Sequence, residues 1–280
     1  MKYQLIDTHA HVNFNSFKDD ADEVIKRTLE QNIGLINVGS QLATSQRAVE
    51  IAHKYDHGVW AIVGLHPLHL HPQRLEYSDV AELPPTIINT RGEKFDIEAY
   101  RPLAQDSKTV AIGEVGLDYH HFEDGDPIEE YKADQKKTLL QAIILANEVQ
   151  KPVMIHCWDA YTDLLTMLTE QPVNRTGAVH SFVGGYKTAR KFIELGYKIG
   201  LNGVITYSNS FDRLIKEIDL TDIIIETDCP YLGPAEKKGE RNEPIYVRYV
   251  AEHIARVKDL PVEQVKEQTT QNAIALFQLT

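Results

Sequence analysis

His9 and His11 stand two residues apart in the segment IDTHAH. On a strand, residues i and i+2 face the same side, so both imidazoles could reach one cation. Alone, such a pair fits two surface histidines at a strand end equally well. The same placement recurs along the chain, however. Glu114 closes AIGE, His156 closes MIH, His180 closes AVH and Asp228 closes IIIETD. Each is a possible ligand at the end of an apolar run. Imidazole nitrogen and carboxylate oxygen together suit Zn²⁺ or Mn²⁺, with Mg²⁺ less natural at an imidazole-rich position. Six protein ligands exceed the four of a zinc site that must also keep a place for water, which predicts two divalent ions. A carboxylate often spans such a pair, with ions ~3.5–4 Å apart. Glu114, central in strand order, is the expected bridge. His9, His11 and Asp228 are expected to hold one ion, His156 and His180 the other. The chemistry this allows is hydrolysis. The cations make a hydroxide available near neutral pH, and Asp228 orients the water and takes its proton.

A second group of residues could meet substrate. His66 ends a strand and could donate to a phosphate or carbonyl oxygen. Asp118 lies just beyond Glu114 and could instead orient a ligand histidine or cap a loop. Arg241 and Asn242 precede Pro244 at the start of a helix, a loop that could face phosphate. His69, His71, His120 and His121 fall near the same end of the strands. Cys157 and Cys229 each follow a ligand, so on a strand they point away from it and read as packing. Lys187, Arg190, Lys191 and Lys198 read as a solvated helix face.

Positioning these residues requires strands that end together. Apolar runs at 3–7, 34–39, 59–64, 109–116, 152–156, 177–180, 197–203 and 222–228 alternate with helix-like segments. The last, DIIIETD, has three isoleucines in a row, as a strand buried on both faces should. Helical periodicity marks 19–31, 44–55, 161–168, 187–195, 245–257 and 262–276. The clearest helix follows Asp126, with Asp126 as the expected cap, Pro127 at the first helical position and Glu129 completing a capping box. Parallel βα units of this number predict a single α/β domain over 1–280, a (β/α)₈ TIM barrel with its active site at the C-terminal ends of the strands. The rival open sheet in its dinucleotide-binding form would need a glycine-rich turn after the first strand, and none is present. Residues 71–108 read as an extended βα loop at the barrel mouth, with a short helix near 97–103.

Composition narrows the function classes. In 280 residues, 42% are hydrophobic and 25% charged, and the formal net charge is −12. That balance argues against a protein that wraps nucleic acid with excess Lys and Arg, but not against an enzyme whose cations make its mouth locally positive. Two cysteines cannot build a disulfide framework, and no apolar run reaches membrane-spanning length. A cytoplasmic enzyme without membrane contact is expected.

The motifs also carry a family likeness. IDTHAH, GLHP (64–67), AIGEVGLDY (111–119), PVMIHC (152–157), HSFVGG (180–185), ETDCPYL (226–232), RNEP (241–244) and NAIALF (272–277) span nearly the whole length. In order and number they resemble the TatD family of metal-dependent hydrolases, within the amidohydrolase-like barrels. The resemblance implies the same six ligands, His9, His11, Glu114, His156, His180 and Asp228. It also implies a deoxyribonuclease acting from a 3′ end, with a nucleic-acid end as substrate and DNA favoured over RNA. The alternative is a metal-dependent ester or amide hydrolase, such as an aminoacyl-tRNA deacylase, because one barrel site serves several chemistries. Two stretches depart from the family pattern: the long span between His66 and Glu114, and HHFEDGD after GLDY.

Overall fold

The computed structural model describes residues 3–77 and 86–280. Its strands are β1 (Leu5–Ala10), β2 (Ile33–Val38), β3 (Val59–Val63), β4 (Arg74–Tyr77), β5 (Thr86–Asn89), β6 (Thr109–Asp118), β7 (Val153–Trp158), β8 (Gly177–Val179), β9 (Lys198–Leu201) and β10 (Ile223–Ile225). Eight of them form one parallel sheet in the order β1-β2-β3-β6-β7-β8-β9-β10. The two ends of the sheet meet. Ala10 bridges Cys229 in parallel, the Asp228 amide donates to the His9 carbonyl at 2.8 Å, and the His11 amide donates to the Cys229 carbonyl at 2.8 Å. The result is the expected barrel, closed at the β10–β1 seam.

The helices are α1 (Ala21–Glu30), α2 (Leu42–His53), α3 (Ile97–Gln105), α4 (Ile128–Val149), α5 (Tyr161–Glu170), α6 (Tyr186–Glu194), α7 (Asp212–Glu217), α8 (Val247–Lys258) and α9 (Val262–Phe277). The short α7 has no counterpart among the helical periods of the sequence. Six residues are too few to show one. At α4 the cap differs from expectation. The helix begins at Ile128 after Pro127 without a side-chain cap, and the Asp126 carboxylate accepts the Glu123 amide instead. The excursion at 71–108 contains the antiparallel pair β4–β5 and then α3; residues 78–85 lie outside the described residues. No helix among the described residues is long and apolar enough to cross a membrane.

Burial sorts the strand residues into two sets. Ile6, Ile36, Ile62, Ala111, Met154, Ala178 and Ile224, one from each of seven strands, pack together with Leu276 and Phe277 of α9. They form the barrel interior, with α9 at its base. Their neighbours Leu5, Leu35, Ala61, Ile112, Ile155, Val179 and Ile225 pack outward in the larger cluster with the helices. Strands buried on both faces explain the continuous apolar runs.

The same alternation aims the polar residues at the strand ends. Counting by twos from Met154, Ala178 and Ile224 turns His156, His180 and Asp228 inward. Counting from Ile6 and Ala111 would not do so for His9 or Glu114. Between Asp7 and Ala10, β1 advances three residues while β2 advances two, from Leu35 to Asn37. Between Ile112 and Val115, β6 advances three while β7 advances two, from Val153 to Ile155. Each extra residue reverses the facing of the strand beyond it, and so His9, His11 and Glu114 join the others. Beside the second irregularity, a Cβ on Gly116 would run into the His156 carbonyl. Glycine there lets β6 approach β7 closely.

Candidate metal centre

Glu114 occupies the middle of the mouth, and its two oxygens meet different rings. Oε2 lies 3.4 Å from His9 Nε2 and 3.8 Å from His11 Nε2. Oε1 lies 2.7 Å from His180 Nε2, 3.2 Å from His156 Nδ1 and 3.2 Å from His66 Nε2. Asp228 joins the first side, with Oδ1 3.2 Å from His11 Nε2 and 3.7 Å from His9 Nε2. Asp228 has a left-handed backbone (φ 59°), a conformation that aspartate tolerates better than most residues. Its amide is tied to the His9 carbonyl across the seam.

These groups fit divalent cations. Three triads place one nitrogen or oxygen from each member within 4.8 Å of one another: His9, His180 and Asp228; His9, His11 and Glu114; His66, Glu114 and His156. Both ring nitrogens of His9 are buried without a hydrogen-bond partner. A buried polar atom left unpaired is costly, and a cation is the partner that the Nε2 of His9 would meet between Glu114 and Asp228.

Outer contacts fix which nitrogen faces inward. The Nε2 of His156 is 2.8 Å from Asp118 Oδ2, which leaves the Nδ1 lone pair toward Glu114. The Nδ1 of His11 donates to the Val38 carbonyl at 2.8 Å, leaving Nε2 inward. The Nδ1 of His180 is 3.6 Å from Glu226 Oε1. His66 is oriented the other way. Its Nδ1 accepts the Leu68 amide at 3.2 Å, so Nε2 carries the hydrogen, and His66, which completes the third triad by distance alone, faces the centre as a donor and not as a ligand.

Electrostatics keeps the carboxylates charged. Burial pushes Glu114 up, but the rings of His66, His180 and His9 outweigh it and hold the group well below the usual carboxylate range. Asp228 is raised by burial and lowered more by His11 and His9. Asp118 is likewise lowered, because its bonds to His121 and His156 outweigh its burial. Burial lowers His180, yet Glu114 and Glu226 raise it further, to well above the ordinary histidine value.

Three expected substrate contacts lie elsewhere. Asp118 is fully buried. It accepts from His156, from the His120 and His121 amides and from the His121 ring, so it acts behind His156 and does not face substrate. The Arg241 guanidinium grips Asp20, touches Glu243 and stacks over the Phe17 ring, which spends its donors on the α1 entry. Asn242 is buried and donates to the Thr227 and Tyr231 carbonyls, so it braces the loop after Asp228. Cys157 and Cys229 are buried and burial pushes both thiols up, in keeping with packing.

Two buried carboxylates at the centre were not singled out by the sequence. Glu226 shares the inward parity of Asp228, the one signal that could have marked it; its Oε1 accepts the Ser181 amide at 2.5 Å. Asp7 accepts the amides of His9 and Thr227 and the Thr227 hydroxyl, pinning β1 to the β10 end. Burial pushes it well above the usual carboxylate range.

Comparison with known proteins agrees with this architecture. The profile of the family described as TatD related DNase matches residues 6–278. The uncharacterized metal-dependent hydrolase YabD of Bacillus subtilis is 36% identical over 279 residues, covering 98% of this chain and 99% of its own. The deoxyribonuclease TATDN3 of Homo sapiens is 32% identical over 276 residues, covering 98% of this chain and 94% of its own. The crystal structure of YJJV, a TatD homolog from Escherichia coli, superposes with a TM-score of 0.83 at 27% identity, covering 100% of both chains. With the profile spanning nearly its whole length, this chain belongs to the TatD related DNase family of metal-dependent hydrolases.

Proposed function

We propose that the chain is a two-metal deoxyribonuclease that removes nucleotides from a 3′ end. The observation that carries this reading is the double environment of Glu114, whose two oxygens face separate ring sets. Two divalent ions bound there would lower the pKa of coordinated water and neutralise charge on a phosphodiester. His9, His11 and Asp228 would hold one ion, and His156 and His180 the other, with Glu114 between. Asp228 is the proton acceptor. It is ionised at neutral pH, and it is the carboxylate of the pair with an oxygen nearer solvent, its side chain being 12% exposed against 5% for Glu114. His66 presents its Nε2 hydrogen to a non-bridging phosphate oxygen, where negative charge grows as the bond breaks. Asp118 keeps the His156 ring and its tautomer fixed. The name of the human relative, a deoxyribonuclease, supports DNA as substrate.

The test is a panel with Mn²⁺-loaded protein: 5′-labelled single-stranded DNA, the matching RNA, a generic phosphodiester, an aminoacyl ester and a dihydropyrimidine. A ladder shortening from the 3′ end of DNA is expected. Turnover of the aminoacyl ester or the cyclic amide, without cleavage of DNA, overturns the proposal.

A further inference from the structure

The rim beside His156 carries an aromatic shelf that the metal chemistry does not use. Trp158 lies two residues beyond His156 and shares its inward parity. The two ring planes lie within 14° of parallel, with centroids 6.4 Å apart. His121 stacks on the indole at 5.3 Å, and His120 meets it edge-on at 5.0 Å. The shelf is fixed in place. Asp118 holds the His121 ring at 2.9 Å, and Asp159, in a left-handed turn directly after Trp158, holds His120 at 2.8 Å. The His120 side chain is 52% exposed and Trp158 is partly exposed, so the shelf borders solvent and the metal centre together. No cationic side chain is needed to build it.

We infer that Trp158, backed by His121, is the stacking platform for the nucleobase next to the scissile phosphate. The inference rests on the nuclease reading of the centre. It also supplies what that reading lacks. The chain is acidic overall, with net charge −12, and Arg241 is committed to Asp20 and Glu243. Two divalent ions would neutralise the scissile phosphate, and a contact to the base can add to that hold without a basic groove. Stacking is suited to this, because every base has a π face and the contact tolerates any sequence.

The experiment compares two 3′-labelled single strands of the same length, one with normal bases and one abasic at its last two positions. Wild-type protein should show a KM roughly 10- to 100-fold lower for the normal strand, the range expected of one base–aromatic stack. Trp158→Ala should lose that preference, raising KM for the normal strand while leaving the abasic strand unchanged. Trp158→Phe should restore most of it. Binding is read separately by fluorescence. Trp60, the other tryptophan, packs edge-on against Tyr3 near the start of β3. In a Trp60→Phe background Trp158 is the sole reporter, and only the normal strand should quench it. Equal KM for the two strands in wild-type protein, or equal loss on both in Trp158→Ala, overturns the platform. Failure of the wild type to cleave either strand overturns the nuclease reading instead.

Discussion

The two sides of Glu114 are negatively charged by different routes. On the Oε2 side, Asp228 itself stands 3.2 Å from His11, while the outer atoms of the rings meet only the Val38 carbonyl or, for His9, no partner. On the Oε1 side the carboxylates stand behind the rings, Asp118 at 2.8 Å from His156 and Glu226 at 3.6 Å from His180. A carboxylate behind an imidazole makes it a stronger donor to a cation. It does so without placing an oxygen in the mouth. The difference separates tasks. The Oε2 side adds the Asp228 carboxylate and the Phe14 ring stacked on His11 at 4.3 Å, and the Oε1 side adds an N–H donor, His66, and the Trp158 indole.

Glu114→Ala erases the distinction and should have the largest effect. Both ions should be lost and turnover should fall below detection, as read by elemental analysis beside the DNA assay. One ion retained at unchanged affinity would make Glu114 a terminal ligand of the other.

Asp228→Asn addresses the Oε2 side alone. The amide keeps an oxygen but cannot take a proton at neutral pH, so turnover should drop roughly 10²–10⁴-fold at full metal occupancy. Recovery of the rate on adding Mn²⁺ would leave Asp228 a ligand and nothing more.

Asp118→Asn addresses the other side from behind. Metal affinity there should weaken by roughly 10- to 100-fold, while the His9–His11 side keeps its own. A Mn²⁺ titration should then resolve two unequal sites. Equal weakening of both would show that the two sides are not separable.

Arg241→Ala should have the smallest effect on chemistry. Loss of the Asp20 pair and the Phe17 stack should cost about 1 kcal/mol of stability, seen in urea denaturation, with KM unchanged. A raised KM would return Arg241 to the substrate path.

The six candidate ligands are legible because each closes an apolar run, and together those runs end at the same edge of the sheet. The barrel is legible in the count and spacing of those runs. What the runs conceal is facing. Parity from Met154 or Ala178 points correctly to His156 and His180, but His9 and Glu114 need the extra residue in β1 and in β6, and backbone irregularity has no residue signature in IDTHAH. Arg241 misleads for another reason. Its partner Asp20 lies at the far end of the sequence, and a loop arginine near a mouth reads the same whether or not it is already engaged. For Asp118 the sequence leaves substrate contact, a hold on a ligand histidine and a loop cap open, because a strand-end carboxylate does not reveal that His156 and His121 converge on it.

The seam between β10 and β1 sets a timetable for the centre. His11 and Asp228 are separated by 217 positions. A ribosome adding roughly 5–20 residues per second needs on the order of 10–40 s to bridge that interval. Until then the emerged chain offers His9 and His11 a backbone with neither the Asp228 carboxylate nor the strand that closes the barrel. The converging set of side chains therefore assembles only after Asp228 has emerged, however well the early strands have folded.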